Sequence, residues 1–161
     1  MWGALYKREV LDDLSFDSKF YVGEDSLFWA QAVKHSHKLY YLDQPLYHYV
    51  IYSESAAHGS FDEKKITELY AWKRICDEWR GNDRVKAAYA IRCKGFCEKY
   101  YKDNNFRCNY LKSVINEYRI NEQELLAGYK SKGNLKSWFS SWLFGILPNL
   151  YLEAKKIRKR K

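Results

Sequence analysis

Three arrangements in this chain combine residue types and spacings that bear on chemistry: adjacent carboxylates, thiols at helical spacing, and an aromatic stripe beside a basic block. The carboxylates are Glu24 and Asp25, set between Gly23 and Ser26 directly ahead of an apolar-periodic stretch. Asp25 is suited to cap a helix, its oxygens accepting from the amides of Leu27 or Phe28. Glu24 adds negative charge at the positive end of the helix dipole, and Gly23 supplies the turn. The thiols are Cys76, Cys93, Cys97 and Cys108. Cys93 and Cys97 are four apart and share one helical face. No His lies between residues 59 and 161, so four-fold metal ligation would need all four scattered thiols. Buried free thiols in a reducing compartment are the expectation.

The third arrangement closes the chain. Residues 137–152 form a charge-free run of 16, short of the roughly 20 that span a bilayer, and Pro148 interrupts it. Trp138, Phe139, Trp142, Leu143, Ile146 and Leu150 fall on one helical face, with Lys136, Ser137 and Ser140 elsewhere. Six of the seven residues 155–161 are basic. An aromatic stripe with a polybasic run is the composition of a helix lying in an anionic membrane interface. The alternative is an amphipathic helix packed on the body with a solvated tail.

The elements that must carry these groups follow from periodicity and turn chemistry. The apolar positions of residues 4–14 suit one or two helical turns, and residues 26–35 carry a helical stripe. Residues 37–51 are β-rich, aromatic and interrupted by Pro45, which predicts short strands. Ser60 and Glu63 have capping-box spacing, opening a helix to about residue 79 that Gly81 and Asn82 end. Asp83 opens the next, to about residue 101. Asp103-Asn104-Asn105 marks a turn before a helix over 108–118. Asn121 and Glu124 repeat the capping-box spacing, and Gly133-Asn134 breaks the chain ahead of a last segment. The expected fold is therefore mainly α with a small α/β portion, divided at 1–60, 61–133 and 134–161.

Composition bounds the rest. The chain has 161 residues and a net charge of +8, adequate for one domain that buries roughly 70% of its unfolded surface. Apolar residues make up 47% and aromatics 18%, too rich for disorder. Residues 130–161 hold nine basic side chains against one acid, Glu153, while the other 129 residues balance at 19 of each sign. A neutral body with a basic end argues against a nucleic-acid partner, which would spread Lys and Arg over a face.

The order of motifs carries a resemblance. The chain has Trp2-Gly3-Ala4-Leu5-Tyr6-Lys7, then Phe16, then Gly23-Glu24-Asp25-Ser26-Leu27-Phe28. Lys38-Leu39-Tyr40-Tyr41-Leu42-Asp43 follows, with Pro45-Leu46-Tyr47-His48-Tyr49 and Ser53-Glu54-Ser55 after it. This series over residues 1–60 resembles the C-terminal half of bacterial family 2 glycosyltransferases, which build capsular, exopolysaccharide and O-antigen chains. One departure is Val50, where the family often carries Arg. The resemblance implies an inverting enzyme of the GT-A type that moves a sugar from a nucleotide-sugar donor to a glycan or lipid-linked acceptor. Asp25 then matches the general base, with Glu24 beside it, and Trp2, Ser55 and His58 match substrate-binding positions. The family's Asp-x-Asp cation motif and nucleotide-binding unit have no counterpart in this sequence. The resemblance thus implies a C-terminal remnant of a Rossmann-like domain followed by a helical bundle. It also implies that the divalent cation (Mg or Mn) is held by the full-length parent and no cofactor by this chain. The implied location is cytoplasmic, peripheral at the inner face of the bacterial membrane.

Overall fold

Backbone hydrogen bonding is helical in every regular element of the computed structural model, which describes residues 3–48, 50 and 59–158. Seven α-helices follow in order among these residues: α1 (Glu24–His35), α2 (Thr67–Glu78), α3 (Asp83–Tyr100), α4 (Asn104–Asn109), α5 (Leu111–Ser131), α6 (Leu135–Ile146) and α7 (Pro148–Arg158). Short 3-10 turns at Arg8–Val10 and Glu63–Ile66 precede α1 and α2.

The expected α/β portion is overturned. Among the described residues there is no strand, so no Rossmann-like remnant is present. Residues 38–48 are extended or irregular, and their bulk faces outward: Tyr40 is 89% and Tyr41 88% exposed. The physical reason lies in what β-propensity measures. Aromatic residues such as Tyr40, Tyr41 and Tyr47 favour strands because they fit a half-buried pleated surface beside a paired neighbour. Neither a paired strand nor a covering layer is present among the described residues, so the alternation gains nothing, and Leu46 N bonds locally to Gln44 O (2.9 Å).

The chain divides into two compact units, Met1–Ile75 and Cys76–Lys161. In the first, α1 buries Leu27, Phe28, Ala30 and Ala32, while Phe61, Ile66, Leu69, Ala71 and Ile75 complete the core. Phe16 stacks on Phe28 at 4.5 Å and Tyr6 meets the same ring edge-on at 6.3 Å. Thr67 Oγ1 accepts from Tyr21 N (3.1 Å) and Val22 N (3.0 Å), tying the loop before α1 to the start of α2. An Arg74–Asp17 ion pair (2.9 Å) adds a second tie.

In the second unit α3 and α5 form the principal helix pair, with α6 laid on α5 and α7 on α6. Cys93 and Cys97 are buried on the inner face of α3, both as free thiols. Phe144 meets Tyr118 edge-on at 4.7 Å and Tyr151 at 5.5 Å, joining α5, α6 and α7 in one aromatic cluster. Local chemistry sets the helix starts. Asn82 Oδ1 accepts from Arg84 N and Val85 N, Asp103 Oδ1 from Asn105 N, and Asn134 Oδ1 from Ser137 N. Each satisfies an amide that the first turn leaves without a helical partner. Other expected bounds move: Asp62 rather than Ser60 caps the turn before α2, and the helix expected over 108–118 starts at Leu111 and runs on to Ser131, after the separate α4. Asn121 caps nothing; it lies inside a continuous α5, its Nδ2 donating to Glu117 O (2.8 Å).

Candidate functional site

Gly23 determines how the carboxylate pair is presented. Its backbone is left-handed (φ +97°), and a Cβ built there would lie 2.9 Å from Ala71 Cβ and 3.1 Å from Glu68 Cα. The missing side chain is therefore required twice, by conformation and by close approach to α2. The residue is the N-cap of α1, and its carbonyl accepts from Leu27 N (3.0 Å). Asp25 is consequently not the cap expected from sequence. It is the second residue of the helix, half-buried, with Oδ1 accepting from Ser26 N (2.7 Å) and Ser26 Oγ (3.4 Å). Both carboxylates stay at the positive end of the α1 dipole.

Beside this turn opens a cleft of about 450 Å³ lined by Ser18, Lys19, Phe20, Tyr21, Glu24, Lys64 and Thr67. Glu24 is the predicted residue that reaches it; Asp25 sits one position further into α1. Lys64 stands over the Tyr21 ring at 5.7 Å, and Tyr21 is 53% exposed. The arrangement offers the Tyr21 ring and hydroxyl, the Glu24 carboxylate, the Lys19 and Lys64 ammonium groups and the Ser18 hydroxyl, while the Thr67 hydroxyl is engaged by backbone groups. That set suits a polyhydroxylated ligand carrying an anionic group, the platform packing on apolar faces and the polar groups fixing orientation. Trp2, Ser55 and His58 lie outside the described residues. Lys19, Tyr21, Lys64 and Thr67 carried no motif; Thr67 joins residues 18–24 only because its hydroxyl bonds Tyr21 and Val22 across more than forty positions.

Among the described residues no group of three or more His, Cys, Asp or Glu converges to hold a metal ion.

A second polar cluster lies inside the other unit. Lys94 Nζ donates to Ser140 Oγ (2.9 Å) and Ser141 Oγ (3.1 Å), and Tyr151 OH donates to Glu98. Burial pulls the Lys94 ammonium down to about 8, against the smaller opposing effect of Glu98. Burial pushes the Cys76 thiol up to about 11 and the Cys93 thiol to about 12, and holds Cys97 well above its usual range. These thiols are protonated and unreactive at neutral pH. The cluster ties α3 to α6 and α7 and opens onto none of the clefts described.

Comparison of the chain with protein-family models, curated proteins and solved structures finds no match in any of the three. No described helix is long and apolar enough to cross a membrane.

Proposed function

We propose that this chain forms the acceptor side of an inverting glycosyltransferase, peripheral at the cytoplasmic face of the bacterial membrane. The enzyme transfers a sugar from a nucleotide-sugar donor to a glycan or lipid-linked acceptor in cell-surface polysaccharide synthesis. The ordered motifs of residues 1–60 support the reading. The observation that carries it is the glycine-enforced turn that sets Glu24 and Asp25 at the head of α1, beside a cleft with a tyrosine platform.

In the proposed reaction the acceptor hydroxyl oxygen attacks C1 of the donor sugar opposite the departing nucleoside diphosphate. The new C1–O bond forms as the C1–phosphate oxygen bond breaks, and the diphosphate leaves with that electron pair. Asp25 takes the hydroxyl proton. Its Oδ1 bond to the Ser26 amide fixes the carboxylate in one orientation, so that position supplies much of the rate. Glu24, on the cleft wall, holds a neighbouring acceptor hydroxyl.

The test is Asp25→Asn in the full-length polypeptide that carries this segment. Sugar transfer is expected to fall by about 10²-fold or more, with nucleotide-sugar binding by calorimetry unchanged. Near-normal turnover would sink the base assignment. A second reading, a non-catalytic helical module that binds a membrane surface or a protein partner, is favoured by the exposed apolar stripe of α6.

A further inference from the structure

Helix α6 is packed inside out. Its inward side carries small residues one turn apart, half-buried Ser137 and buried Ser141 and Gly145, with buried Phe144 between them. Close approach to α5 is sealed by polar bonds: Tyr118 OH donates to Ser141 O (2.7 Å) and Arg119 Nε to Gly145 O (2.8 Å). The outward side carries Leu135, Phe139, Trp142 and Ile146, exposed at 69%, 54%, 38% and 51%. Their four-three-four spacing makes one stripe along the whole helix, with no polar residue in it. Trp142 is braced by Trp138 (6.0 Å, nearly parallel) and Phe139 (5.8 Å). Exposed Leu147 and Leu150 continue the apolar surface past the helix end. Ordinary amphipathic packing would bury this side, so its exposure marks a contact surface.

We propose that the outward side of α6 lies in the headgroup layer of an anionic membrane, with Phe139, Trp142 and Ile146 inserted and Lys132 and Lys136 on lipid phosphates. The proposal rests on the peripheral location proposed above and is independent of sugar transfer. Three observations select lipid as the occupant. A helix of 12 residues is about 18 Å long, too short to cross about 30 Å of hydrocarbon but suited to lying in the interface plane. The charge is complementary, since residues 130–161 carry nine basic side chains against one acid, and Lys130, Lys132 and Lys136 are exposed beside the stripe. A second copy fits poorly, because apposing the same side of two chains would bring the like charges of Lys130, Lys132 and Lys136 together. The structure also shifts weight within the basic end. Lys155 pairs with Glu98 (3.7 Å) and Lys156 with Glu153 (3.7 Å), so the lysines flanking α6, rather than the start of the terminal block, are placed to meet headgroups.

Co-sedimentation tests this with the whole chain, using phosphatidylcholine vesicles with or without about 30% phosphatidylglycerol at low salt. Wild type is expected to partition at least tenfold more strongly onto the anionic vesicles. Replacing the stripe together (F139S/W142S/I146S) is expected to lower that partition at least tenfold. Exchanging the flanking lysines (K130A/K132A/K136A) should weaken anionic binding by about fivefold per residue while leaving neutral vesicles unaffected. Ile120→Ser, at an apolar residue of α5 more exposed than any of the three, should change nothing. Tryptophan quenching by lipids brominated in the upper acyl chain reads insertion in the unmutated chain, and far-UV circular dichroism checks that the variants fold. Retained binding by the stripe variant assigns contact to another segment and overturns the proposal while leaving the peripheral location standing. Absence of wild-type binding, absence of quenching, or a dimer in ultracentrifugation without vesicle binding overturns it outright.

Discussion

Gly23→Ala isolates the contact on which the candidate site depends. Two terms follow from the structure. The left-handed backbone at φ +97° costs an L-residue about 1–2 kcal/mol. The new methyl would then stand 2.9 Å from Ala71 Cβ and 3.1 Å from Glu68 Cα, against an optimum of about 3.5–4.0 Å. Neither neighbour is the end of a flexible side chain, so the backbone must move, at about 1–3 kcal/mol. The sum is about 2–5 kcal/mol, a large share of what a unit of this size possesses at roughly 0.1 kcal/mol per residue. Two other glycines separate the terms. Gly81 has φ +83° with nothing within 4 Å of a built Cβ, so Gly81→Ala should show the backbone term alone. Gly95 lies inside α3, exposed and with open space around it, so Gly95→Ala should stabilise by about 0.5–1 kcal/mol. Urea unfolding followed by circular dichroism measures all three, and amide exchange in α1 reports the first unit directly. A Gly23→Ala cost no greater than that of Gly81→Ala would refute the packing of α1 against α2, and with it the presentation of Glu24 and Asp25.

Two further outcomes concern the second unit. Cys76, Cys93 and Cys97 are raised by burial, the first two to about 11 and about 12; above about pH 9 the unfolded chain has released protons that the fold retains, so each thiol lowers stability as pH rises. Lys94, lowered to about 8, works in the opposite direction between that pH and the ordinary lysine range. Three thiols against one amine, with the buried hydroxyls of Tyr89, Tyr118 and Tyr151 raised in the same sense as the thiols, leave stability falling as pH rises between roughly pH 9 and 10, and Cys93→Ala should make that fall shallower. Urea midpoints that stay level or rise across that window would contradict the burial of the thiols. Tyr118→Phe removes a fully buried hydroxyl that donates to Ser141 O at 2.7 Å. A loss of about 1–2 kcal/mol in the same assay is expected, and a neutral result would place α6 elsewhere on α5.

What was legible in sequence was local. The breaks at Gly81-Asn82 and Gly133-Asn134 could be read from turn chemistry alone, although both asparagines, read as ends, prove to be the caps of α3 and α6, each reaching amides two or three positions on. The same local signal misleads at Asn121. There Val114, Ile115, Tyr118, Asn121 and Leu125 form one buried face along α5, and packing of that face outweighs a capping preference. The described part of the expected strand segment, residues 37–48, fails for the opposite reason, since strand-forming side chains require a neighbour that sequence pattern alone cannot provide. The cleft was invisible because Lys64 and Thr67 meet residues 18–24 only in the folded unit.

The aromatic end shows the division most sharply. Periodicity alone determined that Phe139, Trp142 and Ile146 share a side of one helix, because 3.6 residues per turn is a property of the backbone. It also determined that the basic charge gathers beyond residue 129. Only the tertiary structure decided which side faces in. Gly145, Ser141 and Ser137 let α6 approach α5 closely and bury polar bonds there, and close packing of small residues left the large apolar side chains facing outward. Hydrophobic pattern names the faces of a helix; the shape of its neighbour selects among them.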